Sequence, residues 1–343
     1  MGKNRESNVE LLRVLSMFMI VLSHFAFHGF WRGGEERYDW VVNPLNHAVL
    51  SEYCIGGVGV NLFVMISGYF LVSSQSVNWR KLFNLIGKVT FYSLLFYIVA
   101  VIFFDVIPNA KEIINAIFPW LYGYWFVGTY LILYVLHPYI NIVINTIPEK
   151  RLRYLCFLLL CIWGVPYTFM GTNFYGNEIT LFVTMYTIGG YFRLWGAPKK
   201  YIKIALWCSI MLWLCIPIIT ELVRNSIPII SSYTTYFLSR QSLIAVFLSV
   251  SLFCYFVFNL KCKEYPIINK IAKTTFAIYL ITDNYYIRDF IYSTLFHVQS
   301  FSENIYLFIY LLVFAFVTFI IAGLLEMSLC YFYSLLMLVY KKL

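Results

Sequence analysis

Four ionisable side chains follow one face of the first apolar segment of the chain. Glu10, Arg13, His24 and His28 all lie within residues 8–30, a stretch long and apolar enough to cross a bilayer. If this segment is a helix, the step from Arg13 to His24 turns through three full turns and about 20°, and rises about 16 Å. These two side chains therefore share one face, and Glu10 is close enough to Arg13 to pair with it.

These four side chains form a polar stripe, which is unusual for a membrane span. A charged group at the centre of a span costs about 2.5–3.5 kcal/mol and usually faces the interior of a bundle or a water-filled cavity. Imidazole, with an ordinary pKa of about 6.5, is the commonest general base, and the planar guanidinium group suits phosphate. The stripe therefore predicts a polar path with His24 as a base and Arg13 as a cation nearer the N-terminal end. A Glu–Arg pair with polar packing groups is the structural alternative.

The two histidines also have the i,i+4 spacing of a pair of metal ligands. The sequence offers no obvious third ligand nearby and contains no HExxH motif, P-loop, dinucleotide fingerprint or GxSxG elbow. We therefore predict no metal site and no permanently bound cofactor.

The rest of the chain must position these groups inside a membrane. Of its 343 residues, 61% are hydrophobic and 12% are charged, whereas soluble domains are usually about 25% charged. This composition predicts one all-α, polytopic membrane domain over residues 1–343. Ten candidate spans are predicted, at residues 8–30, 47–73, 82–107, 120–145, 152–170, 179–195, 204–223, 233–259, 270–291 and 305–338. The last run is longer than a span, so its helix is expected to continue past the bilayer.

The net charge of +9 indicates membrane topology rather than nucleic-acid binding. If the N-terminus is inside, most of the 25 basic residues lie in the inner segments, which is the positive-inside pattern. Both termini are then predicted to be cytoplasmic. Arg240, Asp283, Asn284 and Arg288 add polar groups to later spans. Asp283 has three candidate partners, His24, Arg240 and Arg288, and the sequence leaves the choice open.

Four sequence blocks, in order, resemble the membrane acyltransferase-3 family. The first is the pattern of Arg13, ten residues and His24. The others are GVNLFVMISGYFLV at 59–72, WFVGTYLILYVLHPYIN at 125–141 and KTTFAIYLITDNYYIR at 273–288. The resemblance is to the branch that modifies polysaccharides.

The chain departs from the family pattern at two positions. Tyr130 stands where many members carry a glutamate five residues after the tryptophan of the fourth span, here Trp125. Thr282 stands where members often carry a second histidine. The second departure argues against a mechanism that uses two histidines.

The resemblance implies an enzyme that moves an acyl group, most commonly acetyl, from cytoplasmic acyl-CoA to a hydroxyl of a cell-surface or exported polysaccharide, or of a lipid-linked glycan. It also implies a bacterial cytoplasmic membrane. The predicted catalytic residues are His24, Glu10 and Asp283. The predicted donor- and substrate-binding residues are Arg13, Ser67, Arg80, Lys81, Lys88, Trp125, Arg240 and Asn284.

Several of these assignments have alternatives. Ordinary topogenic charge is the alternative explanation of Arg80, Lys81 and Lys88. Ser67 either donates to the oxyanion or permits close helix packing beside Gly68. Trp125 is a membrane-interface or core group in the alternative to glycan binding.

A transporter or exporter of a glycan or small solute would use the same polar stripe, and it is the competing function. For the acyltransferase, the positions of the charges predict sidedness. The donor phosphates are expected near Arg13 or the inner cations, and the acceptor is expected to enter beneath the outer loops at 31–46 and 292–304.

Overall fold

The computed structural model describes residues 6–30, 41, 43–50, 56–171, 177–224, 239–260 and 264–340, and every regular element in these ranges is helical. In chain order the helices are α1 (Ser7–Gly29), α2 (Pro44–Ala48), α3 (Gly56–Leu71), α4 (Trp79–Phe103), α5 (Ala110–Ile117), α6 (Pro119–Tyr122), α7 (Trp125–Thr146), α8 (Glu149–Met170), α9 (Glu178–Trp195), α10 (Lys199–Arg224), α11 (Leu243–Asn259), α12 (Pro266–Ala272), α13 (Thr275–Thr282) and α14 (Leu307–Tyr340). The all-α prediction is therefore confirmed for the described residues.

Six of these helices are long and apolar enough to cross a membrane: α1, α4, α7, α8, α10 and α14. Two shorter helices, α3 and α11, are also apolar. The predicted count of ten spans and the cytoplasmic placement of both termini remain predictions. The last apolar run forms one continuous helix of 34 residues, about 51 Å long against a hydrocarbon core of about 30 Å.

The predicted span at 270–291 is wrong as a continuous helix. It is divided into α12, α13 and a non-α segment that begins at Asp283. The hydroxyls of Thr274 and Thr275 donate to the carbonyls of Ile271 and Ala272, and such local bonds compete with regular helix bonding. The chain thus turns at Asp283, in the middle of the predicted span.

Close contacts fix the first helix against the centre of the bundle. A Cβ atom added at Gly59 of α3 would lie 2.4 Å from the Ser16 carbonyl oxygen of α1, and one added at Gly68 would lie 2.1 Å from the Tyr186 carbonyl oxygen of α9. Only glycine permits these backbones to approach so closely. Helices α1, α3 and α9 therefore form a tightly packed unit, which carries the polar stripe.

Candidate active site

The C-terminal half of α1 lines a cavity of about 700 Å³, which we call the His24 cavity. His24 and His28 enter it from α1, and Asp283 enters it from the break after α13. Trp125, at the start of α7, and Arg240, in the turn before α11, also line it. The structure thus brings together four of the predicted site residues that are far apart in the sequence.

Asp283 contacts both histidines, but not equally. Its Oδ1 lies 2.9 Å from Nε2 of His28 and 4.0 Å from Nε2 of His24. Asp283 and His28 are both buried. Of the three partners left open by the sequence, neither His24 nor Arg240 is hydrogen-bonded to this carboxylate. His28, which was given no site role, is its direct partner.

The other nitrogen of the first histidine contacts the residue just before Asp283. His24 Nδ1 lies 3.2 Å from Oγ1 of Thr282. The same hydroxyl donates to the carbonyl oxygen of Ile278, one turn earlier in α13, at 2.9 Å. When the hydroxyl proton is used in that bond, Thr282 acts as an acceptor for the His24 ring.

The same contacts bring a third potential metal ligand, Asp283, close to the two histidines. Ligand atoms of His24, His28 and Asp283 all lie within 4.8 Å of one another, so a third potential ligand is present although the sequence did not reveal it. The bond between His28 and Asp283 already satisfies one atom of each residue. The absence of a metal remains a prediction.

A second charged group lies in the same cavity. The guanidinium of Arg240 donates from Nε and Nη2 to the two carboxylate oxygens of Glu178, with 3.0 Å for the Nε bond. The Arg240 Cζ atom also lies 4.3 Å from the centre of the Trp125 ring. Arg288 is a further cation in the lining.

The N-terminal half of α1 borders a separate, smaller cavity of about 310 Å³, which we call the Arg13 cavity. Its described lining includes Arg13, Ser67 and Lys81, together with Tyr130 and Tyr134. Three predicted donor-site residues are therefore neighbours. Arg13 lies eleven residues before His24 in α1, so this cavity is about 16 Å from His24 along the helix axis.

Aromatic rings fill the region between the two cavities. Tyr130, in the lining of the Arg13 cavity, stacks on Phe126, with 6.0 Å between ring centres. Phe126 contacts Tyr279, with ring centres 5.6 Å apart, and Tyr279 lies 6.2 Å from the His24 ring. Phe126 and Tyr279 both line the His24 cavity. Aromatic side chains thus connect one cavity to the other.

Several predicted site residues have structural contacts instead. Glu10 is paired with Arg13 and does not line the His24 cavity, so its position suits holding Arg13, and its predicted catalytic role stays a prediction. Asn284 is buried, and its amide donates to the Tyr124 hydroxyl at 2.7 Å. Its side-chain oxygen accepts from the backbone amide of Tyr286, so the side chain stabilises the turn after α13. It is not part of the lining of either cavity.

Two of the predicted inner cations also lie elsewhere. Lys88 Nζ bonds to Oε1 of the buried Glu326 in α14 at 2.5 Å, and the Tyr92 hydroxyl donates to the same carboxylate. Arg80 is exposed and does not line the Arg13 cavity. Lys88 thus forms an ion pair between α4 and α14, and its role in donor binding stays a prediction.

The predicted oxyanion role of Ser67 also meets a geometric obstacle. Its hydroxyl donates to the Phe63 carbonyl at 3.0 Å and lies 3.4 Å from the Tyr130 hydroxyl. Ser67 lines the Arg13 cavity and not the His24 cavity. The neighbouring Gly68 provides the close helix contact that was the alternative explanation of this Ser-Gly pair.

The sequence analysis missed Glu178, Tyr279 and the role of Thr282. Glu178 begins α9 after the capping residue Asn177, so it resembles an ordinary first-turn acid. Tyr279 was one of 29 tyrosines. Thr282 was noticed only because it replaces a histidine of the family pattern.

Comparison with known proteins agrees with the sequence blocks. A family model described as an acyltransferase domain, that of the acyltransferase-3 family, matches residues 6–327. No curated protein and no solved structure matches the chain. The matched region includes every residue that lines the two cavities. The prediction from the four blocks is confirmed, and the chain belongs to the acyltransferase-3 family of membrane acyltransferases.

Proposed function

We propose that this membrane acyltransferase moves an acyl group from acyl-CoA to a sugar hydroxyl of a polysaccharide or lipid-linked glycan, with His24 as the general base. Acetyl is the simplest acyl group for this chemistry, and the bacterial cytoplasmic membrane is the proposed location. The observation that carries the proposal is the position of His24. Its ring lies beside a carboxylate in a cavity large enough for a sugar, and a basic cavity borders the other end of the same helix.

The contacts of His24 support one tautomer. Because Thr282 Oγ1 acts as an acceptor, the proton of the neutral ring belongs on Nδ1, which leaves Nε2 with its lone pair. Nε2 is on the side of the ring that faces Asp283. An acceptor hydroxyl bound there gives its proton to Nε2 as its oxygen attacks the thioester carbonyl.

The separation of 4.0 Å between Nε2 and Asp283 suits this reaction. No hydrogen bond joins the two atoms at this distance, and an ionised carboxylate has no proton to donate, so the Nε2 lone pair stays available. Once Nε2 has gained the proton, the carboxylate stabilises the imidazolium cation. His28 holds Asp283 in this position. The protonated His24 then returns the proton to the CoA sulfur as the carbon–sulfur bond breaks.

The tetrahedral oxyanion needs a hydrogen-bond donor close to the reacting carbonyl. Tyr279 is the best candidate, because its ring lines the His24 cavity and contacts the His24 ring. Its hydroxyl is buried and makes no hydrogen bond of ordinary geometry among the described residues, although it interacts with Asp283. The hydroxyl proton can therefore be donated to a transient oxyanion.

The donor is expected to bind with its phosphates at the Arg13 cavity, on the cytoplasmic side. Arg13 and Lys81 supply positive charge there, and the extended arm of CoA would cross the aromatic region so that its thioester reaches His24. A structure with CoA tests this arrangement. An adenine group found at the His24 cavity would reverse it. The proposed acceptor entrance at 31–46 falls largely outside the described residues.

The decisive experiment uses the purified protein in lipid nanodiscs with radiolabelled acetyl-CoA and surface polysaccharide from the same cells. We expect label in the polysaccharide, and analysis of the polysaccharide from a strain without this gene should show the loss of one ester. A protein that moves glycan across proteoliposome membranes without forming any ester would overturn the proposal and favour a transporter.

A further inference from the structure

Three residues at one side of the His24 cavity form a group that the mechanism above does not use. They are Trp125, Glu178 and Arg240, which we call the rim cluster. The guanidinium forms two bonds to the carboxylate and lies over the indole ring. The side chains of Glu178 and Arg240 are 33% and 35% exposed, so the pair is only partly covered by protein and its remaining polar atoms are accessible from the cavity.

The position of this cluster is fixed from α3. Asn61 of α3 donates from Nδ2 to the backbone carbonyl of Arg240 at 2.9 Å. A Cβ atom added at Gly57 would lie 2.8 Å from Cβ of Arg240, so the turn that carries Arg240 packs directly on the helix backbone. Ser242 then caps the start of α11 by accepting from the Ala245 amide. The guanidinium is therefore preorganised before any substrate binds.

Charge balance restricts what this cavity attracts. Its described lining carries two guanidiniums, Arg240 and Arg288, and two carboxylates, Glu178 and Asp283. Arg240 is neutralised by Glu178 in a bidentate pair. At the rim cluster an ionised group would lose hydration without gaining an unpaired counter-charge, because Arg240 and Glu178 already bind each other. Arg288, the other guanidinium of the lining, lies over the Tyr285 ring. Uncharged hydroxyls meet no such penalty, because they can accept from guanidinium N–H groups and donate to carboxylate oxygens at the same time.

We propose that the rim cluster binds an uncharged sugar unit of the acceptor, and that Glu178 sets this specificity by masking the charge of Arg240. This inference rests on the proposed function and names its acceptor class. Trp125 is then a positioning residue, because its ring holds the guanidinium plane by a cation–π contact rather than stacking on sugar.

The test compares acceptors that differ only in charge. Octyl uronamides of the glucose, galactose and mannose series, which carry a neutral amide in place of the carboxylate, are paired with the matching octyl uronides, and kcat/KM is measured for each with acetyl-CoA and the protein in nanodiscs. We expect the wild type to favour the neutral member of a pair by about tenfold or more. Glu178→Gln unmasks Arg240 without changing side-chain size, so the ratio should move towards the uronide by about tenfold.

Two variants separate specificity from folding. Glu178→Asp keeps the charge and should restore the preference for the neutral glycoside, and the exposed Glu264→Gln serves as the matched control that leaves the ratio unchanged. An unchanged ratio in Glu178→Gln, or a wild type that favours uronides, would overturn this inference alone. A wild type that acylates no glycoside of the panel, while still binding CoA, would count against the proposed function itself.

Discussion

The two cavities at opposite ends of α1 differ in how their charges are balanced. The described lining of the His24 cavity contains two guanidiniums and two carboxylates, of which Arg240 and Glu178 form an ion pair. The described lining of the Arg13 cavity contains Arg13 and Lys81. Glu10 pairs with Arg13 from outside that lining, so Lys81 leaves this region with a net positive charge. The first environment suits a neutral reactant and the second a polyanion. One helix thus borders two cavities of different charge, and the aromatic region lies between them.

The largest effect is expected from His24→Ala, which removes the proposed base. We expect acyl transfer to fall by about 10²–10⁴-fold, while CoA binding at the Arg13 cavity is retained. The measurement is transfer rate and CoA affinity on the same purified sample. His297→Asn, at an exposed histidine, is the matched control. Near-normal transfer by His24→Ala would remove the assignment.

Tyr279→Phe should have the next largest effect. It removes only the hydroxyl, and loss of one oxyanion donor typically lowers kcat by about 10²–10³-fold. The KM for both substrates should change little, because the oxyanion exists only along the reaction path. A rise in KM with normal kcat would instead indicate that Tyr279 binds substrate.

Arg13 tests the opposite cavity. Arg13→Ala should raise the KM for acyl-CoA by about tenfold or more, since hydrogen bonds to charged groups contribute about 1.5–3 kcal/mol. Arg13→Lys should be milder because it keeps the charge but loses the planar fork. Unchanged CoA affinity in both variants would make Arg13 a structural partner of Glu10.

Thr282→Ala should lower kcat by about tenfold, because one hydrogen bond that selects the reactive tautomer is lost. Thr282→Ser keeps the hydroxyl and should remain within about twofold of the wild type. The pair of variants separates a tautomer effect from a packing effect. Equal losses in both would indicate that the methyl group, rather than the hydroxyl, matters at this position.

The smallest effects come from two lysines of α4. Lys81→Met removes a cation of the Arg13 cavity and should raise the KM for acyl-CoA by about two- to fivefold. Lys88→Met should leave that KM unchanged per folded molecule, although it leaves Glu326 without its cation and should lower the melting temperature. A rise in KM for Lys88→Met alone would restore the sequence-based assignment.

The parts of the site that lie on one helix were predictable from the sequence. The rotation per residue of an α-helix fixes Arg13, His24 and Glu10 relative to one another, so the polar stripe and the Glu10–Arg13 pair followed from spacing. The all-helical membrane fold followed from composition in the same way.

The parts that depend on contacts between distant segments were not predictable. Glu326 lies 238 residues after Lys88, and nothing in the local sequence links them. Asp283 as a third potential metal ligand and Glu178 as the partner of Arg240 also depend on contacts between distant segments. The break at Asp283 was missed because the segment is apolar enough to predict one continuous span. The side chains of Thr274, Thr275 and the Asp283–Asn284 pair nevertheless compete with regular helix bonds.

The close contact between α1 and α3 at Gly59 has a mechanical consequence. Arg13 and His24 belong to one helix that cannot slide along its neighbour, because the two backbones already touch. The separation of Arg13 and His24 is therefore set by the helix itself, and we expect it to stay constant when substrates bind. Any movement that admits the donor has to come from the other wall, where α7 carries Phe126 and Tyr130.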